Sequence, residues 1–161
     1  MDLICIGKIV NTHGLKGEIR IISDFKYKLA VFKNNNIIYI DDNKYIVKSY
    51  RSHKIYDMII LEQIDSIEKA ENLKGLNVYI NRSDYKFDGF LNEDIIGLDV
   101  YDKEIYKGKV IDILKTSTND LLVIDGIKKH MVPNIPEFIK EIDLKTKKIH
   151  IKYIRGLDNE D

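Results

Sequence analysis

Isoleucine occupies 29 of the 161 positions, and alanine only two, Ala30 and Ala70. Alanine is the strongest helix former, whereas isoleucine packs well on a pleated surface. A chain of this kind is expected to be mainly β. Its apolar residues also fall in short runs. Residues 3–10, 18–23, 37–40, 45–50, 58–61 and 78–80 read as strands. The polar turns between them include His13-Gly14, Asn34-Asn35-Asn36, Asp41-Asp42-Asn43 and Arg51-Ser52-His53-Lys54. Strands at such spacing point to a small antiparallel barrel. Ile37, Ile38, Tyr39 and Ile40 are apolar at both alternating positions, which fits a closed barrel partly covered by another domain.

One helix is predicted over residues 66–74, with Asp65 capping its first turn and Glu68 completing a capping box. Gly75 stands where a helix stop is expected. The segment from Asp84 to Gly89 has no clear period. Beyond it a second strand series is predicted at residues 95–100, 106–114, 121–124, 129–132 and 149–153. Pro133 and Pro136 bracket Asn134-Ile135, which must be turn or sheet edge because proline donates no ladder hydrogen bond. One helical turn is expected at 137–142, and an acidic, frayed tail at 158–161. The chain should therefore hold two antiparallel barrels, at 1–83 and 92–161, joined by a linker at 84–91. Its length suffices for two small cores.

Lys+Arg and Asp+Glu number 26 each, so a protein that is basic throughout is excluded, but a local basic patch is not. Residues 1–56 carry ten Lys/Arg against five Asp/Glu, and residues 57–161 carry sixteen against twenty-one. The N-terminal barrel is the part expected to meet phosphate. Cys5 is the single cysteine, which excludes an internal disulfide framework and a cysteine-based zinc site. Its place in an apolar strand predicts a buried, inert thiol. No apolar run approaches the ~20 residues of a membrane span, and the first residues lack the marks of a signal peptide. A cytoplasmic monomer is expected.

Gly14-Leu15-Lys16-Gly17 imitates two phosphate-binding motifs. A P-loop would need Lys-Ser or Lys-Thr and a following helix. A KH domain would need helices on both sides of its GXXG. Strands flank this segment, so its glycines serve a hairpin loop. His13, Lys16, Lys8 and Arg20 cluster around it, as in a surface recognition loop. His13, His53, His130 and His150 have no metal-ligand spacing, and no serine lies in a Gly-x-Ser-x-Gly elbow. No nucleophile, acid and base come together, so the chain reads as a binding protein with no cofactor and no metal.

From Ile6 to Ile19 the sequence IGKIVNTHGLKGEI resembles the N-terminal signature of the ribosome maturation factor RimM family. Ile95-Ile96-Gly97-Leu98-Asp99-Val100 resembles the start of that family's PRC barrel, and Gly108-Lys109-Val110 with Asn119-Asp120-Leu121-Leu122-Val123 its middle. The segment from Val132 to Ile139 and Arg155-Gly156-Leu157 resemble its end. The resemblance implies a six-stranded barrel like those of elongation factors and some flavin reductases, followed by a PRC barrel. It implies a non-enzymatic factor for assembly of the bacterial small ribosomal subunit. Such a factor would bind small-subunit ribosomal protein nineteen and support maturation of the head and processing of 16S rRNA. On the reading of the loop as a recognition surface, contacts would fall on Thr12, His13, Gly14, Leu15, Lys16, Gly17 and Arg20. The family's aromatic pair before the Gly-Leu-x-Val strand, often Tyr-Tyr-Trp, is here Phe90-Leu91-Asn92, so Phe90 and Leu91 become candidate partner contacts. The alternative is a flavin-reductase-like enzyme on the first barrel. A membrane-bound PRC protein would need an anchoring helix.

Overall fold

Two aspartates set a tight turn in the first unit. Asp41 and Asp42 take left-handed backbone angles, φ 51° and 63°, and Ile40 pairs with Asn43 across them. Aspartate tolerates this conformation because its short side chain bonds locally. The turn joins β3 (Ile37–Ile40) to β4 (Asn43–His53). The other strands of the first unit are β1 (Leu3–His13), β2 (Glu18–Ile22), β5 (Tyr56–Leu61) and β6 (Asn77–Asn81). They close in the order β1-β2-β5-β4-β3-β6. Closure needs local bends, and register shifts on β1 and β4 supply them. Ile9, Ile19, Ile21, Ile38, Ile40, Ile59 and Ile80 fill the interior with no exposed surface. The structure, a computed structural model, describes residues 1–152, and the chain divides into the units Met1–Phe87 and Asp88–Asp161.

A short helix, α1 (Lys28–Val31), unforeseen in the sequence, is tied to the barrel by a buried carboxylate. Asp57 is 1% exposed; Lys28 Nζ lies 3.0 Å from one of its oxygens, and the Tyr50 hydroxyl donates to the other at 2.6 Å. A charge so deeply buried is tolerated only when paired and hydrogen-bonded. Burial and the bond to Asp57 push Tyr50 up to about 12. At the end of the unit Phe87 stacks on Tyr27 and Tyr85, with centroids 4.7 and 5.7 Å apart, and the Tyr85 hydroxyl donates to the Ile37 carbonyl.

The predicted helix is α2 (Ile67–Glu71), shorter than expected, and its cap is Ser66 rather than Asp65. Ser66 has the extended backbone that an N-cap requires, and its hydroxyl accepts from the Lys69 N–H. Asp65 instead forms an ion pair with Lys69 Nζ at 2.9 Å. The helix ends at Glu71, with Asn72 as its C-cap, so the stop comes before Gly75, whose N–H donates to the Ile9 carbonyl. Cys5 corrects a second expectation. Its strand is partly apolar, but the residue faces outward and is exposed.

The second unit contains α3 (Asn92–Ile95), β7 (Asp99–Asp102), β8 (Ile105–Lys115), β9 (Asp120–Asp125), β10 (Lys129–Pro133), β11 (Ile139–Asp143) and β12 (Lys148–Ile151). Its order is β10-β9-β8-β7-β12-β11, and β7 and β12 pair in parallel, unlike the other neighbours. Ile95, Leu98, Val100, Val110, Leu122, Ile124, Ile149 and Ile151 belong to its core. The strand predicted at 95–100 begins instead with a helical turn. Asp94 accepts the Leu91 N–H, Ile96 N–H bonds to the Asn92 carbonyl, and the ladder starts only at Asp99. The helical turn predicted at 137–142 is likewise mostly strand. Phe138 and Ile139 N–H both reach the Ile135 carbonyl, after which β11 pairs with β12. Pro133 ends β10, an edge strand, where its missing N–H costs no ladder bond. The expected tail, Tyr153 and the motif Arg155-Gly156-Leu157 lie outside the described residues. Among the described residues no helix is long and apolar enough to cross a membrane.

Candidate functional site

The loop between β1 and β2 turns in four residues, because His13 pairs with Glu18 across it. Gly14 and Gly17 both adopt left-handed φ, 73° and 84°. Their reasons differ. A Cβ on Gly14 would meet open space, so only the backbone angle favours glycine there. A Cβ on Gly17 would sit 2.7 Å from the Ser66 carbonyl oxygen, so Gly17 also lets the loop lie directly against the start of α2. Thr12 reinforces that contact, its hydroxyl donating to Glu71 Oε1 at 2.7 Å. The loop is thereby held at both ends of a helix that its own residues do not form. At its tip Leu15 is 83% exposed, and Lys16 is exposed beside it. Lys16 also lines an open cavity of about 370 Å³ with Lys48, Leu61, Glu62, Ile64 and Asp65.

Past the loop, the outward side of β2 continues the charged surface. Ile19 and Ile21 point into the barrel, so Glu18 and Arg20 point out. Glu18 accepts two bonds from Arg51 of β4, 2.9 Å from Nε and 2.8 Å from a terminal nitrogen. The Arg51 fork holds the Glu18 carboxyl below its usual value against the opposing effect of burial, and His13 and Arg20 assist. Arg20 lies with its guanidinium carbon 4.9 Å from the centre of the Tyr56 ring and a terminal nitrogen 3.2 Å from His13 Nδ1. Its Nε is buried and has no hydrogen-bond partner among the described residues.

The structure thus brings Thr12, His13, Gly14, Leu15, Lys16, Gly17 and Arg20 together at one side of the first unit. Phe90 and Leu91 belong to the second unit, where Phe90 is 37% exposed and Leu91 is 4% exposed. Arg51, Tyr56 and His53 complete the basic side of the first unit and were not among the residues singled out from sequence. Their only sequence signal is the alternation of β4 and β5, which does not reveal which strand lies beside β2. Among the described residues no group of three or more His, Cys, Asp or Glu side chains could hold a metal.

Residues 4–85 match the family model described as RimM N-terminal domain, and residues 92–157 match the one described as RimM PRC barrel domain. The ribosome maturation factor RimM of Ligilactobacillus salivarius (strain UCC118) is 39% identical over 168 residues, spanning 98% of this chain and 100% of that protein. Its counterpart from Staphylococcus aureus (strain JH9) is 38% identical over 161 residues, spanning 94% and 96%. A crystal structure of a RimM protein from Pseudomonas aeruginosa covers 95% of this chain and 98% of its own, with 22% identity and a TM-score of 0.48.

Proposed function

The chain belongs to the RimM family of ribosome maturation factors, and on that premise we propose that it assists assembly of the small ribosomal subunit without catalysing a reaction. The observation that carries this reading is the ordered match of both domains at 39% identity over nearly the full length. The finer reading follows the family resemblance. The factor binds small-subunit ribosomal protein nineteen, acts on the head and supports 16S rRNA processing. Loop 12–18 contacts rRNA or a ribosomal protein through His13 and Lys16, joined by Arg20 of β2, with Gly14 and Gly17 setting its shape. The second unit supplies the main protein-binding surface, and Phe90 is the ring available to it, since over a third of its surface is open to solvent. Aromatic side chains in such positions are frequent anchors of partner binding. The factor acts by holding its partners, so neither metal nor cofactor is required.

Co-sedimentation of the full chain with precursor and mature small subunits tests the reading. The expected result is preferential binding to the precursor. Binding to neither particle overturns it.

A further inference from the structure

Cross-strand register places one residue from each of three strands in a row on the outside of the first barrel. Arg20 of β2 pairs with Met58 of β5, and Met58 pairs with Arg51 of β4. Met58 has no exposed surface although it lies on the outward side. The Arg51–Glu18 ion pair reaches from β4 to β2 across β5, the strand that carries Met58. The same face carries Lys8, paired with Ile22, and His53, paired with Tyr56. Its cations are therefore Lys8, Arg20 and Arg51, with the imidazoles of His13 and His53 beside them, and among the described residues of these strands the exposed-side carboxylate is Glu18. That carboxylate is already committed to Arg51 by two bonds.

Both arginines are held in place. Glu18 fixes one fork, yet Arg51 keeps about half of its side-chain surface exposed, 49%. Tyr56 and His13 fix the other. Five N–H donors project from each guanidinium, and the contacts described here use only some of them. Cations fixed on a sheet lose little freedom when they meet an anion, unlike lysines on a loop tip. A planar fork also matches a phosphate better than a point charge does.

We propose that the outward face of β1, β2, β5 and β4 is a surface for the RNA backbone, with Arg20 and Arg51 on phosphates and Tyr56 as a ring beneath Arg20. The proposal rests on the small-subunit reading and deepens it, because it moves the RNA contact from the loop tip to the sheet. Charge complementarity selects the partner: among the described residues of these strands one paired carboxylate stands with three cations, Lys8, Arg20 and Arg51, in a chain whose total charge is zero. Backbone recognition of this kind is independent of sequence and weakens with salt.

The test is binding of the full chain to protein-free small-subunit rRNA transcript, followed by fluorescence anisotropy from about 50 to 200 mM salt. Arg20→Gln should weaken binding several-fold and reduce the slope of log affinity against log salt by roughly 0.7–0.9, the value of one phosphate contact. Arg20→Lys should restore the slope but only part of the affinity, because it keeps the charge and loses the fork. Arg51 is tested in the double variant Glu18→Gln/Arg51→Gln, which leaves no buried carboxylate without its partner. Unfolding curves confirm that each variant is folded. If wild type fails to bind the transcript, or folded Arg20→Gln and the double variant bind it with wild-type affinity and slope, the proposal is overturned. It is equally overturned if polyglutamate competes as well as RNA at matched charge, which would make the face a reader of acidic protein. Normal co-sedimentation with unaltered RNA binding by the variants would defeat this proposal alone. Loss of co-sedimentation with intact, Arg20-dependent RNA binding would defeat the assembly reading alone.

Discussion

Gly14 and Gly17 look equivalent in the sequence but are constrained by different physics. Alanine at Gly14 should cost about 1–2 kcal/mol for the left-handed backbone alone. Alanine at Gly17 should cost more, because its Cβ also meets the Ser66 carbonyl at 2.7 Å. Urea unfolding of the two variants gives the order directly. Lys16→Glu should instead leave stability within about 0.5 kcal/mol, since it is an exposed substitution. It should nevertheless weaken binding to small subunits, and normal binding at several salt concentrations would remove the loop tip as an electrostatic contact. Glu18 carries a pH signature. Its carboxyl is held down by the Arg51 fork, so it protonates more readily in the unfolded chain than in the folded one. The stability it adds is complete above the ordinary glutamate value of the unfolded chain and is lost as pH falls through the lower folded value. Unfolding measured between neutral pH and about pH 3 should show a flatter acid limb for Glu18→Gln than for wild type.

At the scale of elements, the β1–β2 hairpin and α2 form one assembly. Ser66 caps the helix while its carbonyl lies against Gly17, and Thr12 reaches Glu71 at the helix end. The loop's shape is therefore set by a helix some fifty residues away in sequence, a link invisible to local propensity. A similar distinction separates the neighbours before α3. Leu91 is 4% exposed and Phe90 is 37% exposed, as expected for adjacent side chains pointing to opposite sides. Leu91→Ala should destabilise the protein by about 2–5 kcal/mol, the range for large-to-small buried substitutions. Phe90→Ala should barely move the melting temperature. If Phe90 is a partner anchor, its loss should weaken binding to ribosomal protein nineteen by more than about 2 kcal/mol, roughly thirtyfold. Calorimetry of folding and of binding on the two variants separates these effects. The reverse pattern would place the anchor at the wrong one of the two positions.

For the whole molecule, each unit has its own buried interior: the isoleucine-filled barrel in Met1–Phe87 and the core built on Val100, Leu122, Ile124 and Ile149 in Asp88–Asp161. Fragments cut at that division should each unfold cooperatively, with low stability because small domains bury a smaller share of their surface. On the proposed reading, the N-terminal fragment should bind RNA about as well as the full chain, and the C-terminal fragment should bind ribosomal protein nineteen. A C-terminal fragment that folds yet ignores that protein would place the partner site elsewhere. Strand 37–40 and the Asp41-Asp42 turn were readable from the sequence because neighbouring residues determine both. The family motif from Ile6 to Ile19 was readable because it is contiguous. The strand predicted at 95–100 was not, because an apolar run cannot distinguish a buried helical turn from a ladder until its backbone hydrogen bonds find partners. The parallel pairing of β7 with β12 and the row Arg20–Met58–Arg51 were hidden for the same reason. Glu18 and Arg51 stand 33 positions apart, and only closure of the barrel makes them partners. The sequence by itself determined that the chain is mainly strand, most of the first unit's strands and the family to which it belongs. The tertiary structure alone decided which strands became neighbours. That choice placed two arginines on one rigid face, because side chains distant in sequence share a surface only after the sheet has closed.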